Sequence, residues 1–387
     1  MAIYPQITAL HPEMTAWRRE LHAHPETAFE EHRTAQFVAD KLHGFGIEVV
    51  RGLAGTGVVG VLKGRREGAS AVGLRADMDA LDIHEQTNRP YASKVPGKMH
   101  ACGHDGHTTM LLGAAKYLAE TRDFAGTAYF IFQPAEENEG GGRVMVEDGL
   151  FERFQMDGVY GLHNWPGMPT GRIGVREGPM MAAYDVFEIT VTGHGAHGAM
   201  PHQGIDPVLI SAHVVTGLQT IASRNVDPLA SVVVSVTQIH GGDAWNVIPQ
   251  QVVLRGTVRS FDPQVQELAE TNLGRIAKGV AAAHGAEAAI RYERRYPATV
   301  NSQAETRHAA HIAAQVVAAD NVVNDVTPCM GSEDFAFMLQ NKPGSYIWLG
   351  AGENHPNLHS PHYDFNDEIL PVGASYWAKL VEETLKA

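Results

Sequence analysis

The sequence predicts an α/β protein of two domains, with the second domain inserted into the first. Its 387 residues exceed the roughly 250 to 300 at which a single hydrophobic core stops growing. Strand-like apolar runs alternate with helical patterns early in the chain, which favours an α/β sandwich around a mostly parallel sheet. From Tyr184 the order becomes strand, helix, strand, strand, helix, strand, which is typical of a ferredoxin-like α+β unit.

The first domain is predicted from hydrophobic periodicity. Apolar residues at core-facing helical spacings indicate two helices near the N-terminus and a third between the second and third strands. Four apolar runs, bounded by polar or glycine-rich segments, indicate strands. The predicted helices cover 14–24, 33–43 and Leu111–Leu118, and the predicted strands are Val58–Leu62, Ala71–Arg75, Tyr129–Phe132 and Gly158–Leu162.

The inserted domain is predicted to cover residues 184–295. The α/β pattern then resumes, with a strand at Tyr346–Leu349 and a closing helix after Pro371, so the first domain combines 1–183 with 296–387. The predicted elements of the insertion are the strands Val186–Thr192, Ala230–His240, Gln251–Ser260 and Ala288–Tyr292 and the helices Pro207–Ser223 and Val265–His284.

Composition and charge argue against some classes of binding partner. The formal net charge is −14, and nothing in the chain resembles the basic footprint of a nucleic-acid-binding protein. The first ten residues lack the basic start and apolar run of a secretory signal, and no apolar run approaches the roughly 20 residues that cross a bilayer. The only cysteines are Cys102 and Cys329, so no disulfide framework is expected. We therefore expect a cytoplasmic protein that binds small molecules, or a second copy of itself, and neither membranes nor nucleic acids.

Potential metal ligands follow three of the predicted strands. Asp77 and Asp79 follow the strand that ends at Arg75, Glu136 and Glu137 follow the next strand, and His163 ends the fourth. In open α/β sheets ligands bind beyond the carboxyl ends of the strands. We therefore expect these side chains to lie along one edge of the sheet.

Cys102 and His104 form the most suggestive pair. In an extended or looped segment, alternate residues point to the same side, and thiolate and imidazole are good ligands for zinc-like metals. Taken alone, the pair also fits a packed cysteine or a nucleophilic cysteine with a histidine base. The neighbouring Glu136 and Glu137 favour a metal hydrolase, which needs one carboxylate as a ligand and another as a general base.

Two further segments concentrate histidines. Asn354–His362 contains three in a loop rich in Pro and Asn, where packing gives no reason for them, so at least one is expected to be functional. Gly193–His202 places histidines among glycines, which suits close approach to a ligand but also fits a polar turn. His163 alone would be read as structural.

One motif is expected to be structural. Gly55–Gly60 matches the dinucleotide-binding spacing G-x-G-x-x-G, which requires a following helix. A β-branched run follows instead, so a turn between two strands is favoured. Cys329 is interpreted as a packing residue.

Together these segments resemble the family of bacterial hippurate hydrolases, aminoacylases and plant auxin-conjugate hydrolases. The resemblance covers nearly the whole chain. The segments that carry it are Arg19–Glu26, Leu74–Leu81, Met99–His107, Gln133–Glu137, Gly195–His202, Asn246–Pro249, Gly256–Arg259, Gly331–Phe335 and Leu358–Pro361.

The resemblance implies roles for individual residues. Glu136 would be the general base, and the family's lid histidine would be His197. Asn246 and Arg259 would face the substrate, in related enzymes from the partner subunit. Where other branches have a His-x-Asp motif this chain has Asp77-Met-Asp79, so these two aspartates are expected to support the ligands. The implied metal ligands are Cys102, His104, Glu137, His163 and His359, with His362 as the alternative to His359.

The resemblance also implies a reaction. It is hydrolysis of the amide bond of N-acyl amino acids, either hippurate-like N-aroyl or N-acetyl, by a metal-activated water. Two divalent ions per subunit are expected (manganese, zinc, cobalt or nickel), in a homodimer or a dimer of dimers formed through the lid. N-acetyl-diaminopimelate, aminobenzoyl-glutamate and auxin conjugates remain open as substrates. The alternatives are a Cys102 thiol hydrolase and a non-catalytic metal-dependent binding protein for acylated amino acids.

Overall fold

The computed structural model describes residues 3–386. The chain forms two compact units. The first unit contains the residues up to Met180, Val300–Thr327 and the residues from Asp334 onward. The second contains Met181–Thr299 and Pro328–Glu333.

The elements that precede the second unit begin with three helices. The helices are α1 Pro5–Ala9, α2 His11–His22, α3 His32–Gly44, α4 His104–Thr121, α5 Gly141–Glu147 and α6 Leu150–Arg153. The strands are β1 Glu48–Leu53, β2 Gly57–Lys63, β3 Arg66–Asp77, β4 Ala125–Gln133, β5 Gly158–Pro166, β6 Ile173–Val175 and β7 Gly178–Met181.

The remaining elements follow in chain order. The middle of the chain forms β8 Ala183–Thr192, β9 Ala196–His197, α7 Pro207–Leu218, β10 Val232–His240, β11 Val247–Ile248, β12 Gln251–Ser260, α8 Pro263–Ala283 and β13 Glu287–Tyr296. The last part forms β14 Thr299–Asn301, α9 Gln303–Val317, β15 Val322–Asn324, α10 Ala336–Leu339, β16 Gly344–Gly352 and α11 Leu370–Thr384.

The first unit is built on an eight-stranded sheet in the order β1-β2-β4-β3-β5-β16-β6-β15. Its centre is parallel: β3 pairs with β4 and β5, and β5 pairs with β16. The prediction of an α/β fold with a mostly parallel sheet is confirmed. Nearly every residue of α4 is buried, and its contacts with α2 and α11 place it inside the first unit, where a helix without a polar face is stable.

The segment Gly55–Gly60 forms the predicted turn between two strands. β1 and β2 pair antiparallel across it, and no helix begins there. The alternative of a dinucleotide-binding loop is therefore wrong, because there is no helix N-terminus to receive a phosphate.

The second unit has a four-stranded antiparallel sheet in the order β10-β12-β8-β13. Buried and half-buried residues alternate along β8, as expected for a sheet with one face on a core. α7 and α8 supply the rest of that core. An aspartate directly precedes each helix, Asp206 before α7 and Asp262 before α8, and its side chain accepts hydrogen bonds from backbone N–H groups of the first turn.

The predicted elements differ from the observed ones mainly at their ends, and the helix α9 was not predicted. The helix predicted at Leu111–Leu118 begins seven residues earlier, at His104. The helix predicted at Pro207–Ser223 ends at Leu218, and a π-helical turn at Ile221–Asn225 follows it. Within residues 3–386, no helix is both long and apolar enough to pass through a bilayer.

Candidate metal centre

Three neighbouring parallel strands deliver polar side chains to one edge of the first unit. β3 lies between β4 and β5, with Asp77 at its last position. Glu136 follows the end of β4, and His163 lies in the last half of β5. All three residues are at least nine-tenths buried, so the expected convergence at the carboxyl edge of the sheet occurs inside the protein.

Cys102 and His104 reach this edge by a tight turn rather than the expected extended or looped segment. Gly103 between them has a φ of +97°, and His104 is the first residue of α4. A Cβ at Gly103 would lie 2.3 Å from Asn164 Nδ2 and 2.6 Å from the Tyr363 hydroxyl, so only glycine fits. Cys102 is 7% exposed and His104 1%.

The candidate ligand atoms fall into overlapping groups whose members lie within 4.8 Å of one another. Cys102 and His104 each belong to more than one group, so the groups are continuous. The four groups that contain predicted ligands are Cys102 with His104 and His163, Cys102 with Glu137 and His359, His104 with Glu136 and Glu137, and His104 with Asp77 and His107.

Hydrogen bonds orient the two buried imidazoles toward the shared space. His104 Nδ1 lies 3.2 Å from Asp79 Oδ1, and His163 Nδ1 lies 2.6 Å from the Asn164 carbonyl oxygen. In the neutral form of each ring, Nδ1 carries the proton and donates it, which leaves Nε2 as the nitrogen that can bind a metal. His163 Nε2 lies 3.3 Å from Cys102 Sγ, and His104 Nε2 is buried with no hydrogen-bond partner within residues 3–386.

His107 lies in the same cluster, although no role was predicted for it from the sequence. Its Nε2 accepts the Asn164 backbone N–H at 3.0 Å, so its Nδ1 donates to Asp77 Oδ1 at 2.7 Å. Both ring nitrogens therefore have hydrogen-bond partners, and His107 also lies in a candidate ligand group with Asp77 and His104. Its position three residues after His104 on α4 was the available signal.

Asp77 and Asp79 hold the cluster in place. Asp77 also pairs with the buried Arg75 at 2.7 Å, and Asp79 Oδ2 accepts the Glu137 backbone N–H at 2.9 Å. Because His104 donates to Asp79, the carboxylate fixes the ring's tautomer, as carboxylates behind metal-bound histidines commonly do.

Electrostatics at this edge favour a bound cation. Burial would lower the pKa of His104, but Asp77 and Asp79 outweigh it and raise that pKa to about 10. Burial, reinforced by Glu137 and Glu136, raises the pKa of the Cys102 thiol well above its ordinary value. The carboxylates thus attract positive charge and oppose an uncompensated thiolate.

The histidine-rich loop brings one of its members to the cluster. His359, in a left-handed conformation with a φ of +64°, places Nε2 3.1 Å from Glu137 Oε1, and its side chain is 53% exposed. His362 Nδ1 lies instead against the Gln86 carbonyl oxygen at 3.2 Å. Of the two alternatives, only His359 lies in a group of candidate ligands.

The remaining predicted residues belong to the second unit. His197 and Asn246 are exposed and lie on a short ribbon in which β9 pairs with β11. Arg259 is half-buried, stacks on Tyr184 with 4.0 Å between the guanidinium carbon and the ring centre, and donates to Ser332 Oγ at 2.9 Å. Cys329, predicted to be a packing residue, is only half-buried.

Comparisons with known proteins agree over most of the chain. The model of peptidase family M20/M25/M40 matches residues 73–383. The hippurate hydrolase of Campylobacter jejuni is 43% identical over 386 residues, which cover 100% of both chains. The N-acyl-L-amino acid amidohydrolase of Geobacillus stearothermophilus is 48% identical over 299 residues, which cover 76% of this chain and 80% of that protein.

A solved structure is similar over the same extent. The Bacillus subtilis protein YXEP, described as a dinuclear metal binding peptidase from the M20 family, superimposes with a TM-score of 0.86. It is 36% identical, and the match covers 98% of this chain and 99% of that one.

Proposed function

The chain belongs to peptidase family M20/M25/M40, and from that premise we propose that it hydrolyses the amide bond of N-acyl amino acids with two divalent metal ions. Membership confirms the resemblance predicted from the sequence, and the chain is a metal-dependent hydrolase. The observation that carries the proposal is the buried set of thiol, imidazole and carboxylate groups at the carboxyl edge of the sheet, whose ligand atoms lie within 4.8 Å of one another in overlapping groups.

Five side chains would hold the ions: Cys102, His104, Glu137, His163 and His359. The buried Nε2 of His104, which has no hydrogen-bond partner within residues 3–386, supports this assignment, because a buried ring nitrogen left without a hydrogen bond is costly unless it binds something. Thiolate and imidazole donors suit zinc-like and other borderline transition metals. When bound, such ions polarise the amide carbonyl and make a water molecule more acidic.

Glu136 would perform the proton transfers. Its side chain is buried, and a carboxylate oxygen lies within 4.8 Å of ligand atoms of His104 and Glu137. We assign it to take a proton from the attacking water and deliver it to the leaving nitrogen. General acid–base catalysis of this kind typically accelerates a reaction by ~10²- to 10⁴-fold.

The second unit, predicted at residues 184–295, would act as a ferredoxin-like lid and dimerisation domain. The ribbon of β9 and β11 supports this role because it holds His197 and Asn246 together on the surface: the Gly198 N–H donates to the Asn246 carbonyl oxygen at 2.7 Å. His197 would donate to the oxygen that gains negative charge in the transition state. Asn246 and Arg259 would bind the substrate, in a homodimer or dimer of dimers.

The substrate proposal is hippurate-like N-aroyl and N-acetyl amino acids, acted on in the cytoplasm. The names of the relatives from Campylobacter jejuni and Geobacillus stearothermophilus support these substrates. Both cysteines are free, which suits a reducing compartment.

A hydrolysis panel with controlled metal content tests the proposal. Hippurate, N-acetyl amino acids, aminobenzoyl-glutamate and an auxin conjugate would be assayed before and after removal of metal by a chelator. We expect turnover to disappear with the metal and to return with manganese, zinc, cobalt or nickel. Full turnover in protein that elemental analysis finds free of metal would contradict the proposal.

One distance favours a second candidate, the thiol hydrolase. Cys102 Sγ lies 3.3 Å from His163 Nε2, as in a nucleophile and base pair. However, reactive cysteines lie in electropositive surroundings, whereas here burial, Glu137 and Glu136 raise the pKa of the thiol. Activity that is lost on alkylation but indifferent to chelator would favour the thiol mechanism.

A further inference from the structure

Glu31 is a buried carboxylate that none of the roles above uses. It precedes α3 and is 0% exposed. Its Oε1 accepts the backbone N–H groups of Phe29 at 3.1 Å and Ala135 at 2.9 Å, and its Oε2 accepts the Thr56 hydroxyl at 2.6 Å. Glu31 therefore receives three donors from three separate segments of the first unit.

Ala135 has a strained backbone. Its φ is +54°, a left-handed conformation that is disfavoured for an L-residue with a Cβ. Such a conformation persists only where the surroundings impose it. The Ala135 N–H is held by Glu31, and its carbonyl oxygen accepts the Gly141 N–H at 2.9 Å. Glu136 and Glu137 follow immediately, so this turn sets the direction in which both carboxylates leave β4.

Thr56 lies in the glycine-rich turn that resembles a nucleotide-binding motif. Ala54 and Gly55 have φ values of +48° and +79°. A Cβ at Gly57 would lie 2.5 Å from the Leu53 carbonyl oxygen. The tight turn thus requires small residues, and it buries Thr56, which is 4% exposed, with its hydroxyl on Glu31.

We propose that Glu31, supported by Thr56, is a positioning residue that holds the left-handed turn at Ala135 and thereby aims Glu136 and Glu137. This inference rests on the proposed function, which makes Glu136 the base and Glu137 a ligand. The inference also assigns a role to the glycine-rich turn between β1 and β2. That turn carries the Thr56 hydroxyl, which donates the third hydrogen bond to Glu31.

Paired substitutions test the proposal. Glu31→Gln retains an oxygen for Ala135 and Phe29 and can donate to the Thr56 hydroxyl, whereas Glu31→Ala leaves buried N–H groups unpaired. Thr56→Val removes only the hydroxyl, and Thr56→Ser keeps it. We expect Glu31→Ala and, to a smaller extent, Thr56→Val to lower kcat by about 10- to 100-fold with a lesser change in KM. Glu31→Gln and Thr56→Ser should stay close to the unsubstituted protein.

Metal affinity provides a readout besides activity. Because Glu137 leaves the same turn, Glu31→Ala should weaken manganese binding, measured by titration of metal-free protein. Adding Ala135→Gly should restore part of both properties in Glu31→Ala, since glycine adopts positive φ without strain. A merely structural role for Glu31 predicts no such rescue. Thr56→Val keeps the test available if Glu31→Ala does not fold.

The contrary outcomes are distinct. Wild-type kcat and manganese affinity in folded Glu31→Ala, or in Thr56→Val when Glu31→Ala does not fold, would overturn the positioning role. So would a loss that Ala135→Gly leaves unchanged. An active Glu136→Gln variant, assayed in parallel, would overturn the proposed function instead.

Discussion

Two neighbouring strands of the central sheet each have a pair of acidic residues at or just beyond their carboxyl ends, and the roles proposed for the two pairs differ. After β3, Asp77 and Asp79 accept hydrogen bonds from His107, His104 and the backbone of Glu137. After β4, Glu136 and Glu137 lie in the candidate ligand groups with His104. Asp77 also lies in a candidate group, with His104 and His107. We propose that the two aspartates orient histidines, whereas Glu137 binds metal and Glu136 transfers protons.

The largest expected effect falls on the glutamate pair. Glu136→Gln removes the proposed base without changing its size, so kcat should fall by ~10²- to 10⁴-fold while elemental analysis finds the metal retained. The matched control is Glu139→Gln, an exposed acid in the same loop, which should leave kcat unchanged. An active Glu136→Gln enzyme would show that the base is misassigned.

Cys102→Ser tests whether a proposed ligand contributes more to metal affinity than a residue that only orients a ligand. Replacing a proposed thiolate ligand should weaken metal binding by more than the roughly 10- to 100-fold typical of losing an outer partner, measured by competition with a chelator. Cys329→Ser, in the second unit, is the control and should bind metal normally. Equal affinities for the two variants would argue against Cys102 as a ligand.

Asp79→Asn tests the supporting pair. The amide is a weaker acceptor for His104 Nδ1–H than the carboxylate, so metal affinity should fall by about 10- to 100-fold while both ions remain bindable at high concentration. Asp82→Asn, an exposed residue just beyond the pair, serves as the control. Complete loss of one ion in Asp79→Asn would identify Asp79 as a ligand and remove the distinction between the pairs.

The smallest expected effect concerns His22, whose ring is hydrogen-bonded to the buried carboxylate of Asp105. Burial would lower the pKa of His22, but its hydrogen bonds to Asp105 and Glu85 outweigh burial and raise the pKa to about 9. A raised folded-state pKa contributes stability that is fully present below the unfolded value of about 6.5 and is lost as the pH rises through 9. The free energy of unfolding that His22→Gln removes should therefore shrink across this range. Urea unfolding at pH 6, 7.5 and 9.5 measures it, and a pH-independent difference would contradict the assignment.

Sequence periodicity predicted the elements that place the site because strand and helix signals are local. The ends of β3, β4 and β5 could be put on one edge from the geometry of parallel sheets alone. The turn at Gly103 could not, since the side chains that leave no room for a Cβ there, Asn164 and Tyr363, are distant in sequence.

Roles that depend on contacts between residues far apart in the chain also could not be predicted from the sequence. His107 resembles a ligand in spacing but is occupied by Asp77 and Asn164. Glu31 acts on Ala135, 104 residues away, and no local pattern indicates such a contact. The roles of His197, Asn246 and Arg259 stay predictions. These residues belong to the second unit, which is described separately from the first.

The measurement that tests the central claim most directly is the anomalous diffraction of manganese-loaded crystals. We expect two ion peaks per chain, coordinated by Cys102, His104, Glu137, His163 and His359. The carboxylates of Asp77 and Asp79 should lie outside the coordination shell, still bonded to His107 and His104. Peaks coordinated by Asp77 or Asp79, or peaks that leave Cys102 and His104 without metal, would contradict it.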